Sequence, residues 1–112
     1  MRRAVRWSQA AQRDLGDVVD FIAQDSEINA EKVLRRLHEQ ALSLDLFAER
    51  GRRIPELAGG PRSRRANWRE LLVRPWRIVY AIEGESVLVL AVVDGRRDFR
   101  AWLAGRPAAS PD

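Results

Sequence analysis

The fold of this chain is decided by residues 69–95, which read RELLVRPWRIVYAIEGESVLVLAVVDG. Apolar and polar residues alternate over 69–74 and again over 77–82, which is the period of a half-buried β-strand. Residues 87–93 are apolar at every position, so we expect them to form the central, most buried strand. The short segment 83–85 contains a glycine and suits a hairpin turn. The stretch therefore predicts consecutive antiparallel strands.

The residues before this stretch carry the 3.6-residue period of helices. A short strand at 3–7 is followed by Ser8, whose hydroxyl suits a helix N-cap. The first helical stripe consists of Ala11, Leu15, Val18 and Ile22. After a break near residue 25, Ser26 or Asn29 can cap a second helix, which the apolar pattern extends to about Arg50.

Helices followed by strands indicate an α+β domain. We expect an N-terminal short strand and a helical hairpin packed on one face of a C-terminal antiparallel β-sheet. The length of 112 residues suits one domain. We assign residues 1–104 to it, with Phe99–Leu103 as a last helical turn and residues 105–112 as a frayed tail. Residues 51–68 contain three glycines and two prolines and are predicted to be loop.

Composition excludes several kinds of site. The chain has no cysteine and one histidine, His38, so thiolate chemistry, a histidine-built metal site and a Ser-His-Asp triad have no basis. We therefore predict no metal and no cofactor, and expect His38 to be solvated or packed. No apolar run is long enough to span a membrane, and the charged N-terminus lacks the apolar core of a signal peptide. A cytoplasmic protein without a membrane partner is expected.

The charges are segregated along the chain. Residues 8–49 carry four bases and nine acids, whereas residues 50–77 carry nine arginines against only Glu56 and Glu70. Six of these arginines lie in the predicted loop or at its edge, and we call the stretch that carries them the basic segment: Arg50, Arg52, Arg53, Arg62, Arg64 and Arg65. Together with the nearby Trp68, they form either a solvated loop or a contact surface for an acidic partner or a nucleic acid.

Four segments, in order and at family-like spacing, support a resemblance. They are Trp7-Ser8 with Ala10-Ala11 and Asp14-Leu15, then Gly51–Leu57, then Arg69-Glu70-Leu71 with Trp76–Tyr80, and finally Val92–Asp98. This pattern resembles the ParE/RelE superfamily of toxins from bacterial type II toxin–antitoxin systems. Trp76 replaces a usual tyrosine of that pattern, and Asp94 replaces a common histidine.

The resemblance implies a toxin with a cognate antitoxin, and it allows two activities. RelE-like members cleave mRNA on the ribosome, and ParE-like members poison DNA gyrase. If this chain were a nuclease, the matching catalytic candidates would be Glu56, Arg77 and Arg97, although Glu56 can instead simply pair with a neighbouring arginine. The C-terminal tyrosine of the RelE-like pattern is missing, and Tyr80 lies in an apolar strand where it suits the core. We therefore expect a ParE-like gyrase inhibitor, with the endoribonuclease as the alternative and an RNA-binding domain without toxicity as a third interpretation.

The same resemblance, with the charge pattern, predicts the contact residues for target or antitoxin. They are Arg52, Arg53, Arg69, Trp76, Arg77, Arg96, Arg97 and Trp102. We expect Arg77 and Arg97 to lie near each other on the sheet. We also expect an apolar groove rimmed by arginines to remain exposed, and an antitoxin segment to fill it.

Overall fold

The computed structural model of the protein describes residues 2–58 and 64–106. The strands are β1 (Ala4–Trp7), β2 (Arg52–Arg53), β3 (Arg69–Val73), β4 (Trp76–Glu83) and β5 (Ser86–Asp94), and the helices are α1 (Gln9–Ala23), α2 (Glu27–Leu42) and α3 (Phe99–Ala104). Short 3₁₀ turns lie at Ser43–Asp45, Ala48–Arg50, Pro55–Leu57 and Arg64–Asn67. Arg62 of the basic segment and residues 107–112 of the predicted tail lie outside the described residues.

The five strands form one sheet in the order β1-β5-β4-β3-β2. Strands β2 to β5 pair antiparallel, as predicted, but β1 joins the sheet parallel to β5. The predicted α+β class is confirmed. Strand β5 is buried at every residue from 87 to 93, yet β4 and not β5 holds the central position, because within the described residues one strand, β1, lies beyond β5 and two lie beyond β4 on the other side.

Helices α1 and α2 cover one face of the sheet. Leu15 of α1 and Leu37 of α2 pack against Ile78, Tyr80 and Val89 in the main core. The predicted Ser8 cap is confirmed, and of the two candidates for α2 the cap is Ser26; each hydroxyl accepts a hydrogen bond from the backbone N–H three residues further on. A three-residue connection between the helices keeps them together as a hairpin.

The second face of the sheet is also covered, which the predicted one-sided packing did not include. Val79, Leu90 and Val93 pack there against Phe99 and Leu103 of α3. Asp98 caps α3 by accepting a hydrogen bond from the backbone N–H of Ala101. The apolar run at 87–93 indicates this second layer, because a strand that is apolar on both faces needs other residues packed on each face.

The predicted continuation of α2 to about Arg50 is wrong, because the helix ends at Leu42. The Ser43 hydroxyl donates a hydrogen bond to the carbonyl of Gln40, and this bond competes with regular helical hydrogen bonding. Phe47 then leaves the helical region with φ −123° and ψ 55°. Leu44 and Ala48 stay buried at the expected spacing, so the apolar stripe continues although the helix does not.

The segment predicted as loop, residues 51–68, contains strand β2 and two 3₁₀ turns. Arg52 and Arg53 pair with Glu70 and Arg69 of β3. Gly51 precedes them because a Cβ at this position would lie 2.6 Å from the carbonyl oxygen of Glu70 and would collide with the Tyr80 hydroxyl. Two charged residues give no strand signal of their own, so the pairing with β3 decides the structure.

Tyr80 is part of the core, as predicted, and its hydroxyl joins three segments. The ring is fully buried. The hydroxyl donates to the carbonyl of Ala48 at 2.6 Å and accepts from the N–H of Gly51 at 3.0 Å. Burial raises the pKa of this phenol above its usual value of 10.0.

The membrane prediction rests on length and hydropathy. Within residues 2–58 and 64–106, the helices are too short or too polar to cross a bilayer.

Replacing Tyr80 by Phe removes the hydroxyl, so the Gly51 N–H and the Ala48 carbonyl lose their hydrogen-bond partner. We expect the free energy of unfolding to fall by about 1–3 kcal/mol, which urea denaturation will measure. Because the folded pKa of Tyr80 is raised, its contribution to stability is present below pH 10.0 and declines as the pH rises through the folded pKa. Tyr80 is the one tyrosine of the chain, so absorbance titration reads it alone; a normal pKa in the folded protein would contradict the buried hydroxyl.

Candidate functional site

A buried carboxylate organises the side of the sheet that carries α3. The alternation of β3 turns Leu71 and Val73 toward the main core and Glu70 toward the other face. The Glu70 side chain is 0% exposed. It accepts a hydrogen bond from Nε of Arg52 at 2.7 Å and another from Nε of Arg77. Both cations are therefore bound to the same carboxylate.

Arg77 continues this chain of charges to Glu56. Its two terminal nitrogens donate to the two carboxylate oxygens of Glu56 at 2.9 and 2.7 Å, which is the bidentate geometry of a strong ion pair. The guanidinium carbon lies 4.4 Å from the centre of the Phe99 ring. Arg52, Glu70, Arg77 and Glu56 thus alternate in charge along one line, which we call the ion-pair chain.

The pKa of Glu56, the carboxylate at one end of the ion-pair chain, is shifted by its partner. Hydrogen bonding from Arg77 lowers the pKa of Glu56 below its usual 4.5, and the same bond raises the pKa of Arg77. The contribution of this pair to stability is therefore present above pH 4.5 and is lost as the pH falls through the lowered pKa. A general base works best with a pKa near the operating pH, so this environment moves Glu56 away from that role.

A cavity of about 540 Å³ lies beside the ion-pair chain. Its lining comprises Arg52, Pro55, Glu56, Leu72, Arg74, Pro75, Trp76, Arg77, Gly95 and Arg96. Arg74 is exposed at its edge, whereas Arg77 is almost completely buried. The predicted alternative for Glu56, pairing with a neighbouring arginine, is what the structure shows.

A groove of about 420 Å³ lies between α1 and the end of β5. Apolar side chains form most of it: Val18, Phe21, Ile22, Trp76, Val92, Val93 and Trp102. Asp14 and Asp17 lie on the α1 side, and Arg96 and Arg97 lie on the side that follows β5. The predicted apolar groove with arginines at its rim is present, and it has an acidic rim in addition.

Arg77 and Arg97 do not share a site. Arg77 lines the cavity at the ion-pair chain, whereas Arg97 is exposed and lines the groove. Arg96 and Trp76 line both. Arg96 is held by Asp94, and hydrogen bonds from its side chain lower the pKa of that carboxyl to about 2.

A second ion pair closes the edge of β5 at the groove. Strand β1 ends opposite Val89, so β5 has no strand neighbour on that side from Leu90 onward. Asp14 accepts the N–H of Val92 at 3.0 Å, and Arg106 donates to the carbonyl of Leu90 at 3.0 Å. Arg106 also binds Asp14 through two hydrogen bonds of 2.8 Å and lies over the Trp102 ring. Arg106, assigned above to a frayed tail, is thus packed.

The remaining predicted contact residues are dispersed. Arg53 donates to Asn67, and Arg69 donates to the carbonyl of Gly51 at 2.8 Å, so both support the segment around β2. Arg65 of the basic segment lies over the Trp68 ring at 5.7 Å. His38 is exposed and packs edge-on against Trp7, in agreement with its predicted role.

Sequence reasoning missed the structural role of Glu70 and the pair of Asp14 with Arg106. The first had a signal, because strand alternation places Glu70 on the same face as Arg77, which pairs with Leu72, two residues along β3 from Glu70. The second pair is 92 residues apart in the chain, and no local pattern marks it.

Comparison with known proteins supports the family resemblance that the sequence motifs indicate. The chain matches the family model described as "ParE toxin of type II toxin-antitoxin system, parDE" over residues 5–99. It is 28% identical over 104 residues to Toxin ParE3 of Caulobacter vibrioides, covering 92% of this chain and 96% of that protein.

Two solved structures share the fold. One is a chromosomal ParDE TA system from P. aeruginosa, with a TM-score of 0.65, 22% identity, and coverage of 83% of this chain and 96% of that one. The other is the toxin-antitoxin complex RelBE2 from Mycobacterium tuberculosis, with a TM-score of 0.61, 20% identity, and coverage of 84% and 99%. At these identities the likeness concerns the fold alone.

Replacing Glu70 by Gln removes the negative charge between Arg52 and Arg77 at nearly constant volume. We expect the free energy of unfolding to fall by about 3 kcal/mol or more, because breaking a buried pair leaves an uncompensated buried charge. Glu83→Gln, at the exposed end of β4, is the matched control and should change stability by less than about 0.5 kcal/mol. Equal stability of the two variants in urea denaturation would show that the ion-pair chain is dispensable.

Proposed function

This chain belongs to the ParE toxin family of type II toxin–antitoxin systems, and we propose that it arrests growth by inhibiting DNA gyrase and that a cognate antitoxin neutralises it. Both partners would meet it in the cytoplasm. The competing activity on this fold is ribosome-dependent cleavage of mRNA, and the choice between the two depends on the residues that such cleavage needs.

The state of Arg77 is the observation that carries the proposal. RNA cleavage needs a cation that is free to bind the scissile phosphate. Three nitrogens of Arg77 already donate to Glu56 and Glu70, and the residue is almost completely buried. A phosphate would have to displace two carboxylates from it. We infer that Arg77 has a structural role here.

The proton-transfer groups of a nuclease are also disfavoured. The lowered pKa of Glu56 makes it a weak base at neutral pH. The phenol of Tyr80 is buried against Ala48 and Gly51, so it cannot reach a substrate in this fold. Arg97 is exposed, but it lines the groove and not the cavity that contains Glu56 and Arg77. These properties support inhibition through a protein interface over catalysis.

The groove between α1 and β5 supports the antitoxin half of the proposal. Its apolar lining fits the anchoring side chains of a segment that folds on binding. Its two rims differ in sign, and since Asp14 is paired with Arg106 and Arg96 with Asp94, the charges left for a partner are those of Asp17 and Arg97, which form no ion pair within the described residues. A matching segment would carry basic residues toward α1 and acidic residues toward the end of β5.

Two assays separate the activities. We expect the purified protein to inhibit supercoiling by gyrase and to leave mRNA intact on programmed ribosomes. Glu56→Gln should reduce growth inhibition by less than about fivefold, because loss of one partly exposed charge at an interface costs about 0–1 kcal/mol. If Glu56→Gln abolished toxicity while folding and antitoxin binding stayed normal, Glu56 would be a general base and the nuclease assignment would replace ours.

Phe21 tests the groove, because its side chain is 70% exposed at the groove wall. We expect Phe21→Ser to weaken co-purification with the antitoxin encoded beside this gene by about tenfold, since it removes an apolar anchor. Ile28→Ser is the matched control: Ile28 is 69% exposed, and the groove lining does not include it. Co-purification that is unchanged by Phe21→Ser would move the antitoxin site elsewhere, and absence of any neighbouring gene that relieves toxicity would contradict the proposed partner.

A further inference from the structure

Three large apolar side chains project into solvent where α2 ends. Leu42, Leu46 and Phe47 are 61%, 49% and 64% exposed. We call these three residues the α2-end patch. Leu44 and Ala48, which alternate with them in sequence, are buried in the core. The segment therefore has its inward positions filled, and the patch residues are not needed to complete the core.

Exposed apolar surface of this kind marks a contact site. Burial of apolar area stabilises an association, so these three side chains offer a partner apolar surface that folding leaves unused. A contiguous patch with polar residues around it is typical of protein–protein interaction surfaces.

The charges around the α2-end patch favour an acidic partner. Arg3 and Arg50 line a cavity of about 450 Å³ together with Leu46, Phe47 and one carboxylate, that of Glu49. Arg3 donates to the carbonyl of Gly84 and Arg50 donates to the hydroxyl of Ser43. Both acceptors are neutral, and within the described ranges neither guanidinium forms an ion pair, so both charges stay available.

The α2-end patch lies far from the groove. Arg3 binds both Gly84, in the turn before β5, and the carbonyl of Asp45, which fixes the patch at the start of β5. The groove lies at the other end of this strand, around Val92 to Arg97. Strand β5 has nine residues, so about 26 Å separates its ends. One short segment cannot fill both places.

We propose that the α2-end patch is the surface through which this toxin contacts its cellular target, and that the target presents an apolar side chain flanked by carboxylates. This inference rests on the proposed function, and it assigns target and antitoxin to different surfaces. A second copy of the chain fits less well, because it would bring a second net positive rim, Arg3 and Arg50 with one carboxylate of Glu49, to the same contact. A nucleic acid would leave the three apolar side chains against phosphates, which gains nothing from their burial.

The test compares growth inhibition, antitoxin binding and thermal stability for the full chain, Phe47→Ser, Leu46→Ser and Ile28→Ser. The last is the matched control, with 69% exposure and a place at the other end of α2. We expect Phe47→Ser and Leu46→Ser to lower growth inhibition at least tenfold, with antitoxin co-purification and melting temperature unchanged. Arg50→Glu should lower it as well, whereas Arg50→Lys should retain most of it, since only the charge is required.

Each other outcome overturns the inference. Full toxicity of Phe47→Ser and Leu46→Ser would show that the target binds elsewhere, and the proposed function would stand. Loss of antitoxin binding in these variants would make the patch an antitoxin surface. A wild-type dimer in sedimentation that Phe47→Ser converts to monomer would identify a second copy as the occupant. A wild-type chain that does not inhibit growth would instead refute the proposed function, and with it this inference.

Discussion

The fold on the α3 side depends on one buried carboxylate. Glu70 lies on β3 without contact to water, so its charge is tolerable only while Arg52 and Arg77 stay bound to it. Arg52 brings β2 to the sheet, although two charged residues have no strand propensity of their own. Arg77 brings in Glu56 and underlies Phe99 of α3. The buried Glu70 charge must be neutralised, and three features depend on this: the pairing of β2 with β3, the 3₁₀ turn after β2 and the packing of α3 on the second face of the sheet.

This requirement also bears on activity. A guanidinium that neutralises two carboxylates is stabilised as a cation, and its attraction for a further anion is reduced by the charges it already balances. The carboxylates that stabilise the Arg77 cation therefore also lower its affinity for a phosphate. The same sequence motif can serve a reaction or a fold, and the position of nearby carboxylates decides which. In this chain, Glu56 and Glu70 bind three nitrogens of Arg77, which supports the structural role proposed for it.

Much of the fold could be predicted from the sequence because its determinants are local. The apolar run at 87–93, the alternation around Tyr80 and the caps at Ser8 and Ser26 each depend on neighbours a few residues away. The end of α2 could not be predicted, since its apolar stripe continues past the helix into 3₁₀ turns. The site was harder still. Charge clustering identified the basic segment, but which arginine is bound and which is free is set by contacts between distant segments.

The separation of the groove from the α2-end patch constrains how an antitoxin can neutralise this toxin. On the assignment proposed here, a segment that fills only the groove leaves the patch open, because the two lie at opposite ends of β5, whose nine residues span about 26 Å. That distance takes about eight residues of extended chain or about seventeen of helix. Neutralisation then requires either a segment long enough to reach both surfaces, or a folded antitoxin domain whose bulk excludes the target. An antitoxin segment with apolar anchors spaced to match the two surfaces would neutralise by covering both. An antitoxin with a short segment joined to a large domain would neutralise by excluding the target.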